Sequence, residues 1–252
     1  MMAVAVACIA GAGALIGSFL NVVIHRLPDG RSLAWPGSRC PDCEHDIAPY
    51  DNVPVLSWLI LRGRCRHCRQ PISARYPIVE LLTAVVFGLI AAVCGVDFGL
   101  VQQLPFAAAL IALAAIDLER RLLPNRILAP LAGFGLIAGA AVMTSELSEL
   151  LIAGAAAFGA FLVVALIAPG GMGMGDVKLA GVMGLFLGLE IIPALLVAFG
   201  AGSVVGLVIV ARRGSQARKQ AVPFGPFLAL GALIGLLAGE QLIELYADRF
   251  LR

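Results

Sequence analysis

Long apolar stretches alternate with short polar connections along almost the whole chain. Each stretch is close to the roughly 20 residues that an α-helix needs to cross a hydrocarbon core of about 30 Å. The pattern predicts eight spans, at 2–24, 77–94, 100–116, 126–143, 150–168, 177–189, 191–211 and 225–246. The sixth and seventh are separated only by residues 188–193, a segment compatible with either a turn or a kink.

Composition excludes an ordinary soluble domain. The chain is 60% hydrophobic and 13% charged, with a mean hydropathy of +0.96, so it has too little polar surface to cover a globule in water. We therefore expect an all-α polytopic membrane protein of about eight transmembrane helices. Residues 1–14 contain no Lys or Arg, which favours a retained first span over a cleaved signal peptide.

The basic residues predict the orientation of the helices. Sixteen of the 18 Lys and Arg residues fall in alternate connections, within 25–76, at 120–126, at 178 and at 212–219. Basic connections stay in the cytoplasm, so we expect these connections to be cytoplasmic and both termini to lie outside; joining the sixth and seventh spans would move the C-terminus inside. The net charge of +2 then reflects topology, and the expected surroundings are a lipid bilayer with no nucleic acid.

The longest polar connection, 25–76, contains four of the six cysteines. They form CPDC at 40–43 and CRHC at 65–68, with 21 residues between the two motifs. Paired C-x-x-C motifs are typical of a tetrahedral zinc site; disulfides are the alternative, which a reducing cytoplasm disfavours. We expect a small cytoplasmic zinc-ribbon-like insertion after the first helix, with structural Zn²⁺ held by Cys40, Cys43, Cys65 and Cys68.

Two acidic residues border predicted spans at the same expected depth. Asp117 ends the third span, and Asp176 begins the sixth within GMGMGDVKL at 171–179. Two carboxylates from separate helices can share a proton, with one acting as base toward water and the other as acid toward a carbonyl. The alternatives are an ordinary interfacial charge for Asp117 and a helix N-cap for Asp176.

Four further residues are candidates for the substrate side of this site. Gly173 and Gly175 allow a peptide backbone to approach the neighbouring acid. Glu80 lies one turn inside the second span, where an ionisable group needs a reason. Lys178 is included without an assigned role. The alternative is that its side chain only extends toward the membrane–water interface.

Several motifs together resemble the type IV prepilin peptidases, a family of GxGD aspartic peptidases. The resemblance covers most of the chain: GSFLNVVIHRLP at 17–28, the two cysteine motifs, YPIVELLTA at 76–84, IDLERRLLPN at 116–125, GMGMGDVKL and PFGPFLALGA at 223–232. Position 125 departs from the pattern, because the family often has Asp where this chain has Asn125.

The resemblance implies an activity, partners and a location. Asp117 and Asp176 would be the catalytic pair, with Gly173 and Gly175 in the adjoining loop. The substrates would be prepilins or pseudopilins, cut after a short basic leader at the cytoplasmic face of the bacterial inner membrane. Full-length members commonly also methylate the new N-terminal residue with S-adenosylmethionine, whose site the sequence does not locate.

The expected organisation is a first transmembrane helix at 1–24, a zinc-binding domain at 25–76 and a peptidase domain at 77–252. Two functions of other classes remain as alternatives. One is a transporter or channel with Glu80, Asp117 and Asp176 along a cation path, although no internal repeat supports it. The other is an inactive scaffold that binds pilin precursors.

Overall fold

The computed structural model describes residues 1–142, 147–167, 172–213 and 222–250, and is helical throughout apart from turns and two isolated β-bridges. Its helices are α1 (Met2–Arg26), α2 (Leu56–Ile60), α3 (Arg75–Val93), α4 (Leu100–Arg120), α5 (Asn125–Val142), α6 (Leu147–Ile167), α7 (Met174–Leu187), α8 (Ile191–Arg213) and α9 (Gly225–Phe250). Gly171 and residues 214–219 of the basic cluster lie outside the described ranges.

Eight of the described helices are apolar and 14 to 26 residues long, which confirms the predicted fold class. Six stretches are long and apolar enough to cross a membrane; one of them, Met174–Arg212, contains both α7 and α8, and α5 is a shorter apolar helix. The chain is therefore a multi-pass membrane protein. At 14 residues, α7 is about 21 Å long, which is shorter than a usual span.

The segment between the sixth and seventh predicted spans is a turn. Helix α7 ends at Leu187, a 3-10 turn covers Gly188–Glu190, and α8 begins at Ile191. Gly188 has a φ of +54°, in the left-handed region that glycine tolerates best. Helices α7 and α9 begin at the same end, because the first turns of both lie near Asp117. Helix α8 runs antiparallel to α9, because Gly239 lies against Glu190 and the earlier Gly231 against the later Ala194. The chain therefore reverses direction here.

The chain divides into two compact units, of which the first is Met1–Leu100. Helices α1 and α3 lie antiparallel and in backbone contact. A Cβ on Gly17 would lie 2.7 Å from Glu80 Cα, and one on Gly13 would lie 2.8 Å from the Thr83 carbonyl oxygen. In a bilayer there is no hydrophobic driving force between helices, because lipid tails are also apolar. Small residues at the interface let the two backbones come close enough for van der Waals packing.

The second unit, Val101–Arg252, is built around α7. This helix packs against α5, α6 and α9, and Val177, Leu179 and Met183 are fully buried. A helix that is apolar on every side is typical of such a central position. Phe106 of α4 stacks on Phe186 near the end of α7, with ring centroids 4.3 Å apart. The start of α7, which carries Asp176, is thereby fixed by its neighbours.

Candidate aspartate site and cysteine cluster

Asp117 lies in the last turn of α4 and is 6% exposed. The backbone N–H of Gly225, the first residue of α9, donates to Asp117 Oδ2 over 2.9 Å. A Cβ at position 225 would lie 2.7 Å from that same oxygen. Glycine is therefore the residue that allows the N-terminus of α9 to reach the carboxylate.

Asp176 lies in the first turn of α7 and is half-buried. Gly173 is the N-cap of this helix, and its N–H donates to Asp176 Oδ2 over 3.2 Å. In return, the Asp176 N–H donates to the Gly173 carbonyl over 3.0 Å. Asp176 thus closes the first turn from the third helical position, and it is not the N-cap itself.

Asp117 and Asp176 lie close enough for the charge of Asp117 to act on the Asp176 carboxylate. Each accepts an N–H at a helix N-terminus, from α9 for Asp117 and from α7 for Asp176. Exposed N–H groups at such termini favour negative charge and anionic ligands. The arrangement therefore places two carboxylates from separate helices near each other, each beside backbone N–H groups that favour its charged form.

The two glycines of the motif have different surroundings. Gly173 is exposed, and a Cβ there would meet mainly Asp176 Oδ2, at 3.2 Å. Gly175 lies against the buried Leu123, because a Cβ would come within 2.8 Å of Leu123 Cβ. Gly175 is therefore required for packing of the segment after α4, whereas a side chain at position 173 would crowd the Asp176 carboxylate.

Lys178 bonds to the residue at which the chain departs from the family pattern. Its Nζ donates to Asn125 Oδ1 over 2.9 Å. Asn125 is the first residue of α5, so the bond joins the start of α5 to the first turns of α7. This hydrogen bond and the contact between Leu123 and Gly175 hold the segment that follows Asp117 against the helix that carries Asp176.

Sequence reasoning missed Gly225 and Leu123 as parts of this site. Gly225 precedes Pro226 in the FGPF segment, and proline just inside a helix marks a helix start. That signal was sufficient to place a helix N-terminus at residue 225. It gave no indication that the terminus contacts Asp117, which lies 108 residues earlier in the chain.

Glu80 lies in the first unit, where it joins α3 to the insertion between α1 and α3. It is 7% exposed, and its Oε2 accepts the N–H of Val55 over 2.7 Å. Val55 is the N-cap of α2 and has a φ of +60°. The buried carboxylate thus satisfies an N–H at a strained turn, which is a structural reason for an acid inside this helix.

The four cysteines of the insertion converge on one point. The Cys40 and Cys68 sulfurs are 3.7 Å apart, those of Cys43 and Cys65 are 4.0 Å apart, and all four lie within 4.8 Å of one another. Tetrahedral Zn–S bonds of about 2.3 Å place sulfurs about 3.8 Å apart. The predicted clustering is confirmed, and the donor set fits a tetrahedral thiophilic metal such as zinc.

The four thiols of the cluster differ in their pKa. Backbone N–H groups of Cys68 and His67 lower the pKa of Cys65 to about 7. At Cys43 and Cys68 the backbone N–H groups of His45 and Gln70 are outweighed by desolvation and by neighbouring sulfurs, which raise the pKa. Metal binding therefore has to displace protons from the cluster. The His67 ring packs against the His45 ring at an interplanar angle of 37°, with ring centroids 3.5 Å apart. Among the described residues the metal-competent group consists of the cysteines alone.

Comparison with known proteins divides the chain in a similar way to its structure. Residues 12–94 match the Bacterial Peptidase A24 N-terminal domain, and residues 104–211 match the Type IV leader peptidase family. No solved structure matches the chain.

Curated relatives match over nearly the full length. A prepilin leader peptidase/N-methyltransferase of Aeromonas hydrophila is 37% identical over 94% of this chain and 92% of its own. Proteins of the same name from Stutzerimonas stutzeri and Pseudomonas aeruginosa are 33% and 34% identical, over 96% and 93% of this chain and 93% and 90% of theirs. The chain belongs to the type IV leader peptidase family.

Proposed function

We propose that the chain is an aspartic endopeptidase that removes the short basic leader from type IV prepilins or pseudopilins. It also methylates the new N-terminal residue with S-adenosylmethionine. The observation that carries the peptidase assignment is the position of Asp117 and Asp176 at two helix N-termini within Coulombic range of each other. The names of the curated relatives support both activities.

In the proposed mechanism the two carboxylates divide the work of peptide hydrolysis. One, ionised, deprotonates a water molecule that attacks the scissile carbonyl, and the other, protonated, donates to the carbonyl oxygen. The N–H of Gly225 orients the Asp117 carboxylate, and the exposed Gly173 has no side chain to crowd the Asp176 carboxylate as an extended leader approaches it. The reaction then needs no covalent intermediate.

Lys178 and Glu80 are assigned to positioning. Lys178 fixes the segment after α4 against α7 through Asn125, so the two aspartate-bearing elements keep their register. Glu80 fixes the start of α2 against α3, which sets the position of the cysteine insertion. Neither role requires contact with the scissile bond.

Residues 25–76 form the proposed zinc-binding domain. Cys40, Cys43, Cys65 and Cys68 would hold Zn²⁺ as four thiolates, a closed coordination sphere that stabilises the insertion and leaves no position for a reacting water. Residues 1–24 form the first transmembrane helix, and the proposed peptidase domain is 77–252. In a reducing cytoplasm the thiols remain available for the metal.

The distribution of basic residues supports a bacterial inner-membrane location with the aspartates at the cytoplasmic face. The basic leader of a prepilin stays in the cytoplasm while its apolar helix lies in the bilayer. A cut between them therefore requires acids at that depth.

The test is co-expression with a prepilin, comparing wild type with Asp117→Asn and Asp176→Asn. Loss of general acid–base catalysis is expected to slow leader removal by roughly 100-fold to 10,000-fold. Asp97→Asn, at an exposed acid in the first unit, serves as the control and is expected to cleave normally. Normal cleavage by both site variants would overturn the mechanism, whereas no cleavage by the wild type would favour the scaffold alternative. Mass spectrometry of the mature N-terminus tests methylation separately.

A further inference from the structure

The short helix α2 has its polarity inverted for a segment that faces water. The Ser57 side chain is buried, where it donates to the Tyr50 carbonyl over 3.0 Å and accepts the Val53 N–H over 3.0 Å. The outer face of α2 is formed by three large apolar residues that are more than half exposed, namely Leu56, Leu59 and Ile60. A helix at a water-facing surface has the opposite arrangement.

Two hydrogen bonds hold α2 at the level of a membrane span. The N–H of Val55, directly before α2, bonds to Glu80, which lies about 7.5 Å along α3 from its first residue. The Trp58 indole N–H donates to the Ile72 carbonyl over 3.1 Å, in the segment that leads into α3. The beginning of α2 therefore lies beside the second turn of a helix long and apolar enough to span the bilayer.

Exposed positive charge follows α2 directly. Arg62 and Arg64 are exposed, whereas the next arginine, Arg66, is held by two bonds to Asp51 at 2.7 and 2.5 Å. Apolar residues next to exposed guanidinium groups are the chemistry that binds a bilayer surface bearing anionic headgroups. The location of α2 and the charge beside it thus indicate the same occupant.

We infer that α2 is an interfacial anchor whose outer face enters the bilayer crossed by α1 and α3, while Arg62 and Arg64 bind the phosphates of anionic lipids. The insertion is then tied to the membrane surface instead of being solvated on all sides. Trp58 transmits this placement to the cysteine cluster, because a Cβ at Gly63, two residues before Cys65, would lie 2.8 Å from Trp58 Cζ2. The inference does not depend on the proposed peptidase activity.

The first experiment identifies what covers the outer face of α2. The photoreactive residue benzoylphenylalanine replaces Ile60 in the full-length protein, reconstituted in vesicles of equal phosphatidylcholine and phosphatidylglycerol. The control carries it at Asp42, an exposed position in the first cysteine motif. A phospholipid adduct at position 60 and none at position 42 is the expected result.

Two outcomes would overturn the anchor. One is the absence of a lipid adduct at position 60 in a preparation that elutes and unfolds like wild type. The other is an adduct at position 60 to a co-reconstituted prepilin in place of lipid, which would identify the outer face of α2 as a protein-binding surface.

The second experiment tests the arginines. The ratio of phosphatidylglycerol to phosphatidylcholine adducts is expected to fall about fivefold for each of Arg62→Gln and Arg64→Gln. The controls Arg31→Gln and Arg39→Gln each remove the same single charge, from residues already paired with Asp29 and Asp46, and a much smaller change is expected. An unchanged ratio in the Arg62 and Arg64 variants would overturn headgroup binding.

Discussion

The cysteine cluster and the aspartate site reach their geometries by opposite routes. Each cysteine motif forms a local turn. The Cys40 N–H donates to the His45 carbonyl over 3.0 Å, and the Cys65 N–H donates to the Gln70 carbonyl over 2.9 Å. The same bonds thus recur 25 residues apart. Asp117, by contrast, is oriented by Gly225, 108 residues away. The cluster is assembled from two local turns, whereas the aspartate site depends on the packing of whole helices.

This difference predicts where each site is sensitive to substitution. Turn chemistry within a few residues resists changes elsewhere in the chain, because its hydrogen bonds are short-range. A site made at the ends of packed helices is displaced when any of those helices shifts. A misplacement of about 1 Å can lower a catalytic rate by roughly 100-fold. The following predictions test this contrast, from the largest effect to the smallest.

Replacing Cys40 and Cys65 together with Ser is expected to abolish metal binding, because half of the thiolate ligands are removed. Zinc content after purification measures the loss, with Cys8→Ser, at an exposed cysteine of α1, as the control that keeps its metal. If the two regions are independent, leader cleavage survives. Cleavage that disappears together with the metal would show that they are coupled.

Gly225→Ala is expected to lower kcat for leader removal by roughly 100-fold, because the new Cβ displaces the Asp117 carboxylate. Steady-state kinetics with a purified prepilin measures the change. Gly159→Ala is the control, since a Cβ at that position meets nothing within 4 Å. Unchanged kinetics in Gly225→Ala would contradict the orienting role of α9.

Gly184→Ala tests helix packing without touching either site. A Cβ there would lie 2.6 Å from the Ala153 carbonyl carbon and oxygen, so α6 and α7 must separate at a cost of about 1–3 kcal/mol. Thermal unfolding in detergent is expected to begin at a lower temperature. The control is Gly206→Ala on α8, where a new Cβ would meet nothing within 4 Å. This variant is expected to keep or raise the temperature at which unfolding begins.

Lys178→Met is expected to reduce kcat by roughly threefold to tenfold with KM little changed, because one hydrogen bond that positions the site is lost. Lys178→Arg, which keeps a donor, is expected to recover part of the rate. Asn125→Asp converts the bond into an ion pair and is expected to retain activity. Equal losses in all three variants would indicate a general folding defect instead of positioning.

The spans and cysteine motifs were predictable because periodicity and spacing are local properties of a sequence. The turn at Gly188–Glu190 was left open, since the preceding residue, Leu187, meets Gly235 of α9 only in the folded unit. Gly175 was expected to admit a peptide backbone, and the structure gives it a packing reason in Leu123. Glu80 was identified as unusual, but its partner Val55 lies 25 residues earlier in the chain, and no sequence pattern links the two positions.

The sequence by itself determined that this chain crosses a membrane many times, that four cysteines form one cluster, and that two acids border apolar helices. Apolar length and ligand spacing are sufficient for those conclusions. Only the tertiary structure decided that the N-terminus of α9 orients Asp117, that Asn125 binds Lys178, and that the outer face of α2 is apolar. Those contacts depend on which helix faces meet, and close packing between distant segments selects them.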